Sequence, residues 1–106
     1  MTLPRSLPRP KKPKLWLVRR VVGVSMAPTL LPGTVVLGVR PHRLKRGDLV
    51  IIQHEGLDKV KRVKDVSHDY VFVVGDNLEA STDSRHFGWL PLRAVAARVV
   101  WHNSKI

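Results

Sequence analysis

The chain has 106 residues, 19 of them basic and 8 acidic, for a formal charge of +11 with no cysteine. That length fits one domain, and the absence of cysteine excludes disulfides, thiolate metal sites and a cysteine nucleophile. The surplus charge bears on partners rather than on fold and suits an anionic membrane surface, an acidic protein or nucleic acid.

Residues 1–14 hold Pro4, Pro8, Pro10 and Pro13 among basic and small residues, which predicts an extended basic tail ahead of a domain spanning 15–106. The bias runs on to residue 20: Arg5, Arg9, Lys11, Lys12, Lys14, Arg19 and Arg20 have no acid among them. Such a segment reads as a solvated tail or as a peripheral contact with anionic lipid, with Trp16 suited to a membrane interface. Nucleic acid is the least expected partner, because no helix-turn-helix and no aromatic-rich base-reading motif is present. No stretch approaches the ~18–20 apolar residues of a membrane-spanning helix, and no apolar secretory signal is visible. The expected location is therefore cytoplasmic, or peripheral to a membrane.

Leu15–Val24, rich in β-branched and large apolar residues, predicts a first strand. Pro28, Pro32 and Gly33 punctuate a turn, and Thr34–Val39 predicts a second strand. After a connection ending at Gly47-Asp48 come strands Leu49–His54 and Lys59–Val66, joined around Glu55 to Asp58. Tyr70–Val74 is a further strand, residues 78–88 a polar structured loop, Pro91–Ala94 a turn or short helical piece, and Ala96–Trp101 a closing strand. Six or seven short strands with almost no helical periodicity predict an all-β sandwich- or barrel-like core without a transmembrane helix.

Three segments carry candidate chemistry. Gly23-Val24-Ser25-Met26-Ala27-Pro28-Thr29 places a hydroxyl after a strand and before a turn, a setting that can expose both the hydroxyl and a backbone N–H. Taken alone, a serine before a turn is far more often a turn residue or cap than a nucleophile. Lys59-Val60-Lys61-Arg62-Val63-Lys64 alternates bases with valines on a strand. This is a solvated charged face, or else the site of a lysine stripped of its proton by desolvation and neighbouring positive charge, able to act as a general base. Gly75-Asp76-Asn77 through Ser81, Asp83, Ser84 and Arg85 is dense in turn formers, and an Asp83–Arg85 ion pair could lock it. The histidines at 42, 54, 68, 86 and 102 show no metal-binding spacing, so no metal or other cofactor is expected.

In order and content these segments resemble the boxes of the S26 peptidases, the type I signal peptidases. The resemblance runs over about residues 20–100 and rests on Ser25-Met26-Ala27-Pro28-Thr29, Lys61-Arg62-Val63, the Gly75–Arg85 box and the Gly47-Asp48 turn. It implies a compact β catalytic core in which Ser25 is the nucleophile and Lys61 the general base. Ser81 would orient the lysine, and Asp83 and Arg85 would form a structural ion pair. Backbone at Ser25 and Met26 would face the oxyanion. Bacterial signal peptidases often place a hydroxyl oxyanion donor two residues before the nucleophile; here that position is Gly23. The family also carries an N-terminal transmembrane anchor and usually an extra domain between the second and third boxes; with about a dozen residues between Lys61 and Gly75 and no long apolar stretch, the expectation here is a stripped catalytic core with neither. Within the resemblance, the run Ala80–Arg85 with Phe87-Gly88 looks most like the proteases that mature nickel-type superoxide dismutase. The implied function is a serine endopeptidase that removes an N-terminal leader from a precursor protein. The alternatives are a peripheral signal peptidase for exported proteins and a catalytically inactive basic binding module.

Overall fold

A computed structural model describes residues 15–103 of the chain. The expected tail, 1–14, and the last three residues of the expected domain lie outside the described residues. Seven strands form: β1 (Trp16–Arg20), β2 (Val35–Val39), β3 (Leu49–His54), β4 (Leu57–Val66), β5 (Tyr70–Val74), β6 (Leu90–Pro91) and β7 (Val95–His102). They make one antiparallel sheet in the order β1-β2-β7-β3-β4-β5-β6. The only α-helical turn described, α1 (Ser84–Phe87), lies between β5 and β6. The fold is all-β, as the strand spacing predicted. Among the described residues no helix is long and apolar enough to cross a membrane.

The core follows from side-chain alternation on the central strand β3, whose Val50, Ile51 and Ile52 are all fully buried. Successive side chains leave a strand on opposite faces, so this triplet supplies two cores. Val50 and Ile52 pack with Val63, Val71, Val73 and Val95 on one face. Ile51 packs with Val36, Ala97, Met26 and Leu30 on the other. Fully burying an aliphatic side chain of this kind contributes roughly 1.5–3 kcal/mol. Met26 and Leu30 come from the turn after β1, so the segment around Ser25 is fastened to the second core by its own apolar side chains.

Three boundaries differ from expectation. The first strand ends at Arg20 instead of Val24. Val21 still exchanges backbone hydrogen bonds with the turn at Gly33 and Thr34, at 2.8 and 2.7 Å. Gly23 then adopts φ +81° and turns the chain away. Tertiary pairing there overrides the strand preference of Val22 and Val24. Second, β4 begins at Leu57, opposite His54, so the β3–β4 hairpin loop is only Glu55-Gly56. Both residues have positive φ, as a type I′ hairpin turn requires. Third, the turn or short helical piece expected at Pro91–Ala94 forms as a 3-10 turn over Leu92–Ala94, but its first residue belongs to an unexpected two-residue strand, Leu90–Pro91.

Candidate active site

Lys61 lies in the middle of β4, opposite Val50 of β3. Lys59, Lys61 and Val63 share one face of the strand, whereas Val60 and Arg62 share the other. The sequence offered two readings of this basic strand, and burial separates them. Lys61 is 3% exposed, so its amine sits inside the protein. Burial pulls the Lys61 amine below its ordinary value; Asp83 pulls it up, and the positive charges of Lys59 and Arg85 push it down again, for a net lowering.

Lys61 Nζ donates to Ser81 Oγ at 2.9 Å, and Ser81 Oγ donates to Asp83 Oδ2 at 2.7 Å. Asp83 is fully buried and accepts five hydrogen bonds. Oδ2 takes the Gly75 N–H at 2.8 Å, Ser81 Oγ, and Arg85 Nη2 at 2.6 Å; Oδ1 takes Arg85 Nε at 2.8 Å and the Arg85 backbone N–H at 3.1 Å. Burial pushes the Asp83 carboxyl up, but the bonds from Arg85, Gly75 and Ser81 outweigh it and hold it well below the ordinary carboxylate range. Asp83 also caps α1, whose His86 Nδ1 accepts the Asp83 N–H in return. Ser84 Oγ accepts the Val73 N–H at 2.9 Å and ties this corner to β5. The polar loop expected at 78–88 is thus an ordered frame, and the Asp83–Arg85 pair forms as anticipated.

Ser25 lies half-buried in the turn after β1. It lines a cleft of about 260 Å³ together with Met26, Ile51, Lys59, Lys61 and Thr82. Ser25 and Lys61 therefore face one cavity, although among the described residues no hydrogen bond joins them and the Ser25 hydroxyl has no partner. Nor does the backbone N–H of Ser25 or of Met26 meet an acceptor among the described residues, which leaves both able to face an oxyanion. Met26 has a second role that the sequence reading missed: its side chain is fully buried, and its Sδ accepts the Asp76 N–H at 3.4 Å. Gly23 sits where a hydroxyl donor would be looked for, but its φ of +81° is one that L side chains rarely adopt.

The turn carrying Ser25 is held largely from outside. Asn77 donates its backbone N–H to the Ser25 carbonyl at 2.9 Å and its side-chain amide to the Val24 carbonyl at 3.1 Å. Arg62, on the face of β4 opposite Lys61, grips Asp76 through two bonds of 2.8 Å. The Arg62 hydrogen bond holds the Asp76 carboxyl below its ordinary value against the opposing effect of burial, and the Thr29 hydroxyl assists. Thr29, Arg62 and Asp76 come from the first, second and third sequence boxes, so one polar knot ties all three together. Gly75 completes it: a Cβ there would meet Ser81 Oγ and the Ser25 carbonyl oxygen well under 3.0 Å. Only a residue without a side chain lets the two serine-bearing segments approach from both sides of this backbone.

Residues 53–102 match the family model described as signal peptidase, peptidase S26. This span takes in Lys61, Ser81, Asp83 and Arg85 and stops short of the Ser25 turn. Over 109 residues the chain is 32% identical to the mitochondrial ATP-independent inner membrane protease subunit 1b of Arabidopsis thaliana. That alignment covers 74% of this chain, which spans 64% of the relative's length. With the β architecture and the buried lysine already in place, the chain is similar to the S26 signal peptidases over the matched residues.

Proposed function

We propose that this chain is a serine endopeptidase that removes an N-terminal leader from a precursor, with Ser25 as nucleophile and Lys61 as general base. The observation that carries the reading is a buried lysine, disposed to lose its proton, on the wall of the cleft that Ser25 lines. A neutral amine has one lone pair. With one N–H spent on Ser81, Lys61 can turn that pair towards the cleft and take the Ser25 proton. The freed oxygen attacks the scissile carbonyl carbon, and the oxyanion meets the Ser25 and Met26 N–H groups. Lys61 returns the proton to the departing amine, and water then hydrolyses the acyl-enzyme with the same amine as base. Ser81 orients Lys61, and the Asp83–Arg85 pair fixes Ser81.

Ser25→Ala and Lys61→Ala should each lower cleavage by roughly 10⁴-fold or more, the scale seen when a nucleophile or its base is removed. The resemblance of Ala80–Arg85 and Phe87-Gly88 makes the precursor of nickel-type superoxide dismutase the first substrate to incubate, with the new N-terminus read by mass spectrometry. Full activity in purified Lys61→Ala would overturn the dyad. The similarity to an inner membrane protease subunit supports a second substrate class, leaders of exported proteins at a membrane. Cleavage of an export leader, with the dismutase precursor left intact, would select it. Failure of a serine-reactive probe to label Ser25 would instead favour a catalytically inactive binding module.

A further inference from the structure

β1 and β4 stand four places apart in the sheet, with β2, β7 and β3 between them. At the usual strand spacing a flat sheet would hold them roughly 19 Å apart, beyond the reach of one arginine and one aspartate side chain. Yet Arg19 of β1 meets Asp58 of β4 in an ion pair, Nε to Oδ2 at 2.6 Å. The sheet therefore curls until β1 stands over β4. Bulges between Leu37 and Gly38 in the β2–β7 ladder and between Ile51 and Ile52 in the β3–β7 ladder bend it on the way. Among the described residues no other hydrogen bond or ion pair joins β1 to β4. The cleft lies in the gap that this curl leaves: Arg19 and Arg20 of β1 and Asp58 and Lys61 of β4 all line it, together with Ser25.

We propose that Arg19 and Asp58 are a positioning pair, which ties the strand leading to Ser25 to the strand carrying Lys61 and so fixes the width of the cleft between them. Arg19 lies six residues before Ser25, and Asp58 three before Lys61. Asp58 and Arg62 share one face of β4, and between them they grip the Ser25 segment from both sides. Asp58 holds the strand that enters it; Arg62 holds Asp76, whose neighbour Asn77 holds the Ser25 carbonyl. Without the first grip, β1 is an edge strand paired on one side only, with β2. Arg19 is itself steadied, because its Nη1 donates to the Val18 carbonyl at 2.7 Å. The pair acts through the two strands, not on the reacting atoms. Its part in catalysis rests on the peptidase reading; its hold on the cleft does not.

The chain has no cysteine, so Val18→Cys and Leu57→Cys, both exposed and each next to one member of the pair, take nitroxide labels that report the β1–β4 distance by pulsed EPR. Arg19→Met and Asp58→Ala should each broaden the distance distribution, and the swap Arg19→Asp/Asp58→Arg should narrow it again. Kinetics use unlabelled protein and the dismutase precursor, or the export leader where that is the one cleaved. Each single variant should lower kcat by about tenfold or more with little change in KM, and the swap should recover most of that loss. Melting temperatures should hardly move, since a partly exposed ion pair adds little to stability. Arg46→Met breaks an ion pair with Asp65 of β4, outside the cleft, and should change neither readout. Unchanged distances in Arg19→Met, a swap that restores nothing, or an equal loss of kcat in Arg46→Met overturns the positioning pair. So does a loss confined to KM, because the two side chains then hold substrate directly. If the distances respond as described but the wild-type protein cleaves no precursor, the pair stands and the peptidase reading falls.

Discussion

The two halves of the candidate site are built in opposite ways. Asp83 is fully buried and takes five hydrogen bonds, from Gly75, Ser81 and Arg85, so its corner of the fold is fixed by its own chemistry. Ser25 sits in a half-exposed turn whose hydroxyl has no partner among the described residues. Its position is set by Asn77, by the buried side chain of Met26 and by the Arg62–Asp76 clamp. One half is a self-supporting frame; the other holds the proposed nucleophile and is positioned by that frame. A nucleophile must keep its hydroxyl free for substrate, so the rigidity that places it has to come from neighbours.

The contrast predicts where the largest stability loss falls. Asp83→Ala leaves Ser81, the Gly75 N–H and the Arg85 guanidinium without their acceptor. Breaking a buried, hydrogen-bonded charge in this way costs about 3–5 kcal/mol. Chemical denaturation should show it, and a loss below about 1 kcal/mol would mean the frame does not depend on Asp83. The pH dependence has a definite sign. A carboxyl held below its ordinary value stabilises the fold fully above the unfolded value near 3.8 and loses that contribution as pH falls through the folded value. Wild-type protein should therefore lose stability steeply at acid pH, and Asp83→Asn should flatten that slope.

Next in size is the clamp between boxes. Arg62→Gln removes both bonds to Asp76, in a pair that is partly exposed. Roughly 1–2 kcal/mol is expected, less than for Asp83, because solvent reaches the partners left behind. Cleavage should fall by more than this loss of stability explains, since the clamp positions the turn that carries Ser25. Unchanged kcat in a folded Arg62→Gln protein would show that the Ser25 turn holds itself.

The sequence carried the self-supporting half more legibly than the supported one. Ser81, Asp83 and Arg85 lie within a few residues of one another, so a local motif can encode their contacts, and the Asp83–Arg85 pair was expected from spacing alone. Lys61 was ambiguous, because alternation places a side chain on a face without saying whether that face is buried. Only the packing of β3 beside β4 decides it. The Arg62–Asp76 clamp joins residues 14 apart, and Asn77 reaches across to Val24 and Ser25. Asp76 and Asn77 stood inside a recognised box without a role, and Arg62 was read only as positive charge beside Lys61, whereas the charges that lower Lys61 are those of Lys59 and Arg85. An arginine alternating with lysines on one strand, and an aspartate with no local partner, were the signals that could have paired them. The end of β1 was missed for a related reason: Val21, Val22 and Val24 favour extended backbone, but Gly23 and the turn at Gly33 decide their path.

A smaller effect probes how the frame tunes its lysine. Burial lowers the Lys61 amine first, Asp83 opposes it, and Lys59, on the same face of β4, lowers it further by like charge. Lys59→Gln removes that repulsion, so Lys61 holds its proton to higher pH. The acidic limb of kcat/KM should move upward in pH, with the plateau rate nearly unchanged. A downward shift would mean that Lys59 does not act on Lys61 through its charge.

The smallest expected effect separates the two halves most cleanly. Ser25→Ala removes the atom on which the proposed chemistry depends, yet that hydroxyl makes no hydrogen bond within the described residues, and the bonds fastening the turn run through the Ser25 carbonyl, Val24 and Met26. Its folding stability should stay within about 0.5 kcal/mol of wild type, as for a substitution that leaves core and hydrogen bonds intact. Side by side, Ser25→Ala should be dead and stable, and Asp83→Ala should be unstable. Denaturant midpoints of the two variants against wild type measure this directly. A Ser25→Ala protein as destabilised as Asp83→Ala would show the serine to be part of the frame, and the division between a rigid support and a free reactive group would fail.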